Sequence, residues 1–145
     1  MSVRDFLNNN KVSSCLVNVI KTADTNCTGV DLKGYGGVTF IVEMGNSGDT
    51  LAAGLHTQLE VEDSPDNSVW TDCADADISD SVTGANTGTF ALVNAPTEDS
   101  TVFATTYRGS ARYARVVINV TGTHTNGTPY SCTAIRHGKQ YLPVS

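Results

Sequence analysis

The 145 residues, 39% hydrophobic and 17% charged, suffice for one domain with a core that needs neither a disulfide nor a metal to hold it. A formal net charge of −6 excludes nucleic-acid binding driven by the overall field, because phosphate contacts need clustered Lys and Arg. Aromatic residues are few, while Thr, Ser, Asn, Gly and Val are plentiful, a mix that favours strands and turns over helices.

The first residues, Met1 to Phe6, lack the apolar core of a signal peptide, and no stretch approaches the roughly 18 apolar residues of a membrane span. The expectation is a chain made and kept in the cytosol, with no membrane partner. Ser2 to Asn9 can form one or two helical turns, with Ser2 as cap and Asp5 three residues on. So short a helix is marginal alone in water. Residues 1–13 are therefore predicted to be an arm that orders against the domain or a neighbour, and residues 14–145 a single β-sandwich domain.

Cys15–Ile20 is the first strand candidate. Gly34 to Gly37 then makes a tight entry turn into a clear strand, Gly37 to Met44, where Val38, Phe40, Val42 and Met44 alternate with Thr39, Ile41 and Glu43. Gly45 to Asp49 is turn chemistry. In Leu55 to Glu62 one face is Leu55, Thr57, Leu59 and Val61, and the other, His56, Gln58, Glu60 and Glu62, is wholly polar. Ser64-Pro65-Asp66-Asn67-Ser68 turns the chain toward Ser68–Cys73. Thr89–Val93 and Val102–Tyr107 follow. Arg108 to Ala111 is predicted to close a hairpin onto Arg112–Thr121, where Ala114, Val116, Ile118 and Val120 line the apolar face. A loop with Asn126-Gly127 at its tip precedes the last strand, Tyr130–Arg136. About eight strands predict an all-β, antiparallel, jelly-roll-like sandwich.

The four cysteines, Cys15, Cys27, Cys73 and Cys132, have irregular spacing and no CxxC, so they read as reduced, buried thiols. The sequons at Asn26, Asn119 and Asn126 are chance products of an Asn- and Thr-rich chain. Zinc is not expected, because no paired Cys or His ligands occur. His56, His124 and His137 lie far apart, and Gly45-Asn46-Ser47-Gly48 lacks the spacing of a nucleophile elbow, so no catalytic residue is expected.

Eight acids crowd into residues 60–80, and Asp63, Asp66, Asp72, Asp75 and Asp77 are weak candidates for calcium ligands. Their bland alternative is a solvated acidic surface with Asp serving turns. Trp70, the single Trp, is expected to fill the core rather than offer an exposed sugar-stacking platform. Residues 41–107 hold twelve acids and no Lys or Arg, whereas residues 108–145 hold five bases and no acid. Either strands from the two halves interleave and mix these charges, or the particle is dipolar and its basic side steers docking.

Three segments together carry a family resemblance: Val30 to Val42; Leu59 to Asp72 with Ala74 to Asp77 after it; and Tyr107 to Val117, which contains the pattern GxxRYxRVV from Gly109 to Val117. Across nearly its whole length the chain resembles small structural proteins encoded among the head genes of tailed phages and prophages. It departs from their pattern in its four cysteines and in a longer loop near Asn86–Gly88. Similar strand, Asp-turn and Trp patterns occur in galactose-binding-like jelly rolls.

The resemblance implies a β-sandwich built into a virion: a capsid decoration or cement protein on the capsid surface. Its implied partners are the major capsid protein and further copies of itself, without enzymatic activity or cofactor. Arg4, Lys11, Arg108, Arg112, Arg115 and Lys139 are the candidate partner-binding residues. Alternatives are a head–tail connector, a tail structural protein or a carbohydrate-binding sandwich module.

Overall fold

A computed structural model describes residues 5–139. The described residues form ten antiparallel strands, one short α-helix, α1 (Phe6–Asn9), and two single 3-10 turns, Asp75–Asp77 and Pro96–Glu98. The first sheet has the order β1 (Lys11–Lys21), β10 (Thr128–His137), β4 (Gly37–Met44), β8 (Thr101–Tyr107). The second runs β2 (Thr25–Asn26), β9 (Tyr113–Thr121), β5 (His56–Ser64), β6 (Thr71–Asp72), with β3 (Val30–Asp31) also on β9 and β7 (Thr89–Val93) also on β5. The expected sandwich is present, and the sheets do not close into a barrel.

Alternation explains the packing. Val38, Phe40, Val42 and Met44 of β4 face inward beside Tyr130, Cys132 and Ala134 of β10, and all are buried. Leu59 and Val61 of β5 face them with Ala114, Val116 and Ile118 of β9. These side chains form one core. At about 1.5–3 kcal/mol for each large apolar side chain removed from water, burial on this scale is what offsets the entropy of ordering the strands.

The structure corrects the expected hairpin at Arg108–Ala111. The strands on either side of it, β8 and β9, lie in different sheets, so the segment is an arch across the end of the sandwich. Its capture explains why: the Arg108 N–H donates to the Asp77 carbonyl (2.9 Å), and Ile78 bridges Tyr107, so residues 77–79 occupy the edge of β8 where a hairpin partner would sit. The Ser64–Ser68 turn is a true hairpin, pairing Glu62 with Asp72 and Asp63 with Thr71. Asp66 fastens it by accepting the N–H groups of Ser68 and Val69, both at 2.9 Å.

Two further expectations shift. Strand β1 starts at Lys11, so residues 11–13 of the expected arm pair with β10, while residues 1–4 lie outside the described part. Trp70 is not in the core. It lies half-buried on the outside of the second sheet, against Gly29 and over the guanidinium of Arg115 at 4.4 Å. Two residues before Asp72, which pairs with Glu62, Trp70 shares the outward parity of those two residues.

Candidate interaction surface

The two outer faces of the sandwich differ in charge. The outer face of the first sheet is written by its register. One row across β1, β10, β4 and β8 reads Val12, Ile135, Thr39, Thr106, and the next Ser14, Thr133, Ile41, Ala104. A third row reads Ser131, Glu43, Val102, and beside it Ile20 pairs with Pro129. Glu43 is the one formal charge in these rows. It stands between two shallow depressions, of about 340 Å³ against Asn18, Pro129 and Ser131 and about 250 Å³ against Ser100 and Val102.

Exposed apolar side chains occur on the edge strand and in α1. Leu7 of α1 is 69% exposed, and Val17 and Ile20 of β1 are 76% and 62% exposed. The register of β1 slips between Ser14 and Leu16 and again between Leu16 and Val19. Such bulges twist an open edge away from continuous pairing while leaving its side chains outside. Sequence reasoning passed over these residues. The available signal was the run Leu16, Val17, Val19, Ile20, which is apolar on both parities and so cannot bury every member.

The outer face of the second sheet is polar and internally paired. Arg115 bonds Glu62, with Nε to Oε2 at 2.8 Å and Nη2 to the same oxygen at 2.5 Å, beneath Trp70. The Arg115 side chain is only 16% exposed, so it offers a partner little surface. Glu60, Glu62 and Asp72 each bring a carboxylate oxygen within 4.8 Å of the others. Glu60 is 4% exposed and accepts from Thr89 Oγ1 at 3.4 Å; burial raises its pKa, with the charges of Asp72 and Glu62 adding to the rise.

Of the calcium candidates, only Asp72 belongs to this trio. Asp63 accepts the Tyr107 hydroxyl at 2.8 Å, Asp66 holds its turn, and Asp75 accepts the Gly88 N–H at 2.8 Å. Asp63, Asp77, Asp75 and Asp72 surround the buried Cys73, whose thiol burial and these charges push up to about 12.

The basic candidates gather at one end. Arg112 grips Asp31 through Nε to Oδ1 (3.0 Å) and Nη2 to Oδ2 (2.9 Å), which holds the Asp31 carboxyl down at about 2. Arg136 and Lys139 approach the Tyr35 ring at 4.9 and 5.9 Å, and Lys11 pairs with Arg136 across the strands. An open cleft of about 430 Å³ runs between Leu32–Gly36 and Gly109–Arg112. Lys33, Tyr35 and Arg136 thus join Lys11, Arg112 and Lys139 here. Arg4 lies outside the described residues. The same end carries the Asp66 turn and the Asp75–Asp77 segment, so the charges interleave and the dipolar reading is not what this arrangement gives.

The histidines are separate. His56 Nδ1 contacts the Ala53 carbonyl at 2.8 Å, and His137 Nε2 contacts Thr39 Oγ1 at 3.2 Å. His124 is buried, with Nδ1 3.7 Å from Asp49 and Nε2 3.2 Å from the Thr121 carbonyl. Both its ring nitrogens face acceptors, and neither faces Ser47 or another nucleophile in these contacts.

No protein-family model matches the chain. No curated protein matches it either. Among solved structures, the chain is similar to the SPBc2 prophage-derived protein YomS, with 13% identity, a TM-score of 0.45, and coverage of 88% of this chain and 93% of that one. Among the described residues, no helix is long and apolar enough to cross a membrane.

Proposed function

We propose that this chain is a phage virion structural protein that decorates the capsid, docking the outer face of its first sheet and the adjoining edge strand onto the major capsid protein. One observation carries the reading: a four-stranded face with a single carboxylate, Glu43, adjoins the edge strand that exposes Val17 and Ile20. Exposed apolar side chains beside a nearly uncharged face favour a protein contact. The opposite face is closed by its own ion pair and Trp70, and so has less to offer. The sequence resemblance to phage head proteins supplies the partner's identity in this reading. A rigid sandwich suits the role, because a cement protein works by covering surface across neighbouring subunits, typically about 800 Å² per partner.

The test is particle composition. Virions purified from a lysogen that encodes the chain should contain it at tens to hundreds of copies. A handful per particle moves the chain to the neck or tail, and none ends the proposal. The face is tested by Val17→Asp with Ile20→Asp. Full burial of each apolar side chain is worth about 1.5–3 kcal/mol, so the double variant should bind chain-depleted heads at least about a hundredfold more weakly. Both positions are exposed, so folding should be unaffected. Unchanged binding of the double variant would sink this choice of face.

A further inference from the structure

Three of the four cysteines, far apart in sequence, meet in the core. Cys15 is the extra residue of the first bulge in β1, between the Ser14–Thr133 and Leu16–Cys132 pairs, and so lies beside Cys132 on β10. The Cys15 carbonyl accepts the Thr28 N–H at 3.0 Å, which brings the neighbouring Cys27 to the same place. Cys27 is tied to the other sheet, its N–H donating to the Val116 carbonyl at 2.9 Å. All three thiols are buried and free, and the Cys15 and Cys27 thiols both raise the pKa of Cys132.

We propose that these thiols form an oxidation site with Cys132 as the common partner, closing a disulfide either to Cys15, within the first sheet, or to Cys27, between the sheets. The bulge supplies the reach: Leu16 is the residue opposed to Cys132, and Cys15, its unpaired neighbour in the bulge, has the backbone freedom to close on the Cys132 side chain. Cys15 sits on an edge strand, which opens more readily than a central one and admits a small oxidant.

The chemistry needs a peroxide as oxidant. The Cys15 thiolate attacks one oxygen of hydrogen peroxide, forming a sulfenic acid and releasing hydroxide, which takes up the proton lost on ionisation. The Cys132 sulfur then displaces the sulfenic hydroxyl, its own proton leaving with that oxygen as water. Two thiols and one peroxide become one disulfide and two waters. Cys15 is the nucleophile of the pair: it lies on the edge strand β1, where an oxidant enters, and the neighbouring Cys132 thiol and the Arg136 charge lower its pKa against the effect of burial. Cys73 stands apart among acids and serves as the internal control.

The experiment treats the full chain with hydrogen peroxide, blocks remaining thiols under denaturing conditions, and maps the peptides. Two of the four thiols should be lost, as a bond that contains Cys132 and either Cys15 or Cys27. The bond should raise Tm by about 10 °C, since it closes a long loop in the unfolded chain. Cys132→Ala should form no disulfide. Cys15→Ala, which removes the nucleophile, should form no disulfide, whereas Cys27→Ala should still carry a Cys15–Cys132 bond. Four blockable thiols after treatment, a bond that includes Cys73, or a disulfide that persists in Cys132→Ala would overturn the proposal, as would a folded Cys27→Ala protein that stays fully reduced.

Discussion

Two carboxylates show how placement sets the sign of an acid's contribution. Asp49 accepts the N–H groups of Asn126 and Gly127, the latter at 2.8 Å, and of Thr125 at 3.1 Å, with His124 nearby. These donors favour its charged form and lower its pKa. Its stabilising effect is therefore present above the unfolded-state pKa and is lost as pH falls through the folded value. Glu60 runs the other way. Burial raises its pKa, so its contribution is most favourable below the unfolded value and declines as pH rises through the folded one. Glu60→Gln keeps an acceptor for Thr89 and removes the buried charge. It should raise Tm at neutral pH and leave it nearly unchanged at pH values below the carboxylate range. Asp49→Asn should lower Tm at neutral pH and flatten its fall on acidification. Calorimetry across pH checks both; a Glu60→Gln protein less stable than wild type at neutral pH would show that the charge is compensated there.

At the scale of elements, the arch from β8 to β9 holds the two sheets together at one end. Tyr107 is fully buried, its hydroxyl reaching Asp63 across the core, and Gly109 passes directly over its ring. A β-carbon at Gly109 would meet the Tyr107 hydroxyl and ring at 2.4–2.8 Å. Gly109→Ala should cost about 1–3 kcal/mol in chemical denaturation, the usual cost of overpacking a filled site; a neutral effect would mean that the arch can lift away freely. The sequence made the long strands legible because period-two alternation is a local property, as in Gly37–Met44 and Leu55–Glu62. It did not reveal which strands share a sheet. Alternation reads the same whether a neighbour lies beside a strand or across the core, so Arg108–Ala111 looked like a hairpin. Two-residue pieces such as β2 and β3 carry no periodicity at all. Trp70 was misplaced for a related reason: its face depends on the register of β6 against Glu62, which is a non-local fact. The candidate surface was half legible. The charged residues were counted from the sequence, but which of them end in ion pairs, as Arg115 does with Glu62, follows only from the pairing of β5 with β9.

For the whole molecule, the decisive question is which kind of surface meets the partner, and ionic strength separates the choices. A contact through the basic end, with Lys11, Arg112 and Lys139 against an acidic capsid surface, would be screened as salt rises, because the Debye length shrinks from about 10 Å at 0.1 M to about 3 Å at 1 M. Arg112 already faces Asp31, and acidic turns share that end, so the net field there is weak. A contact through the outer face of the first sheet involves one formal charge in its rows, Glu43, and should be nearly indifferent to salt. The dissociation constant for capsids should therefore change less than about threefold between 0.1 and 1 M salt. If the constant instead weakens tenfold or more, and Lys11→Ala with Arg112→Ala reproduces that loss at low salt, the docking surface is the basic end and the sheet face is a bystander. If neither salt nor those substitutions matter while Val17→Asp with Ile20→Asp abolishes attachment, apolar burial along the edge strand is what holds the protein in place.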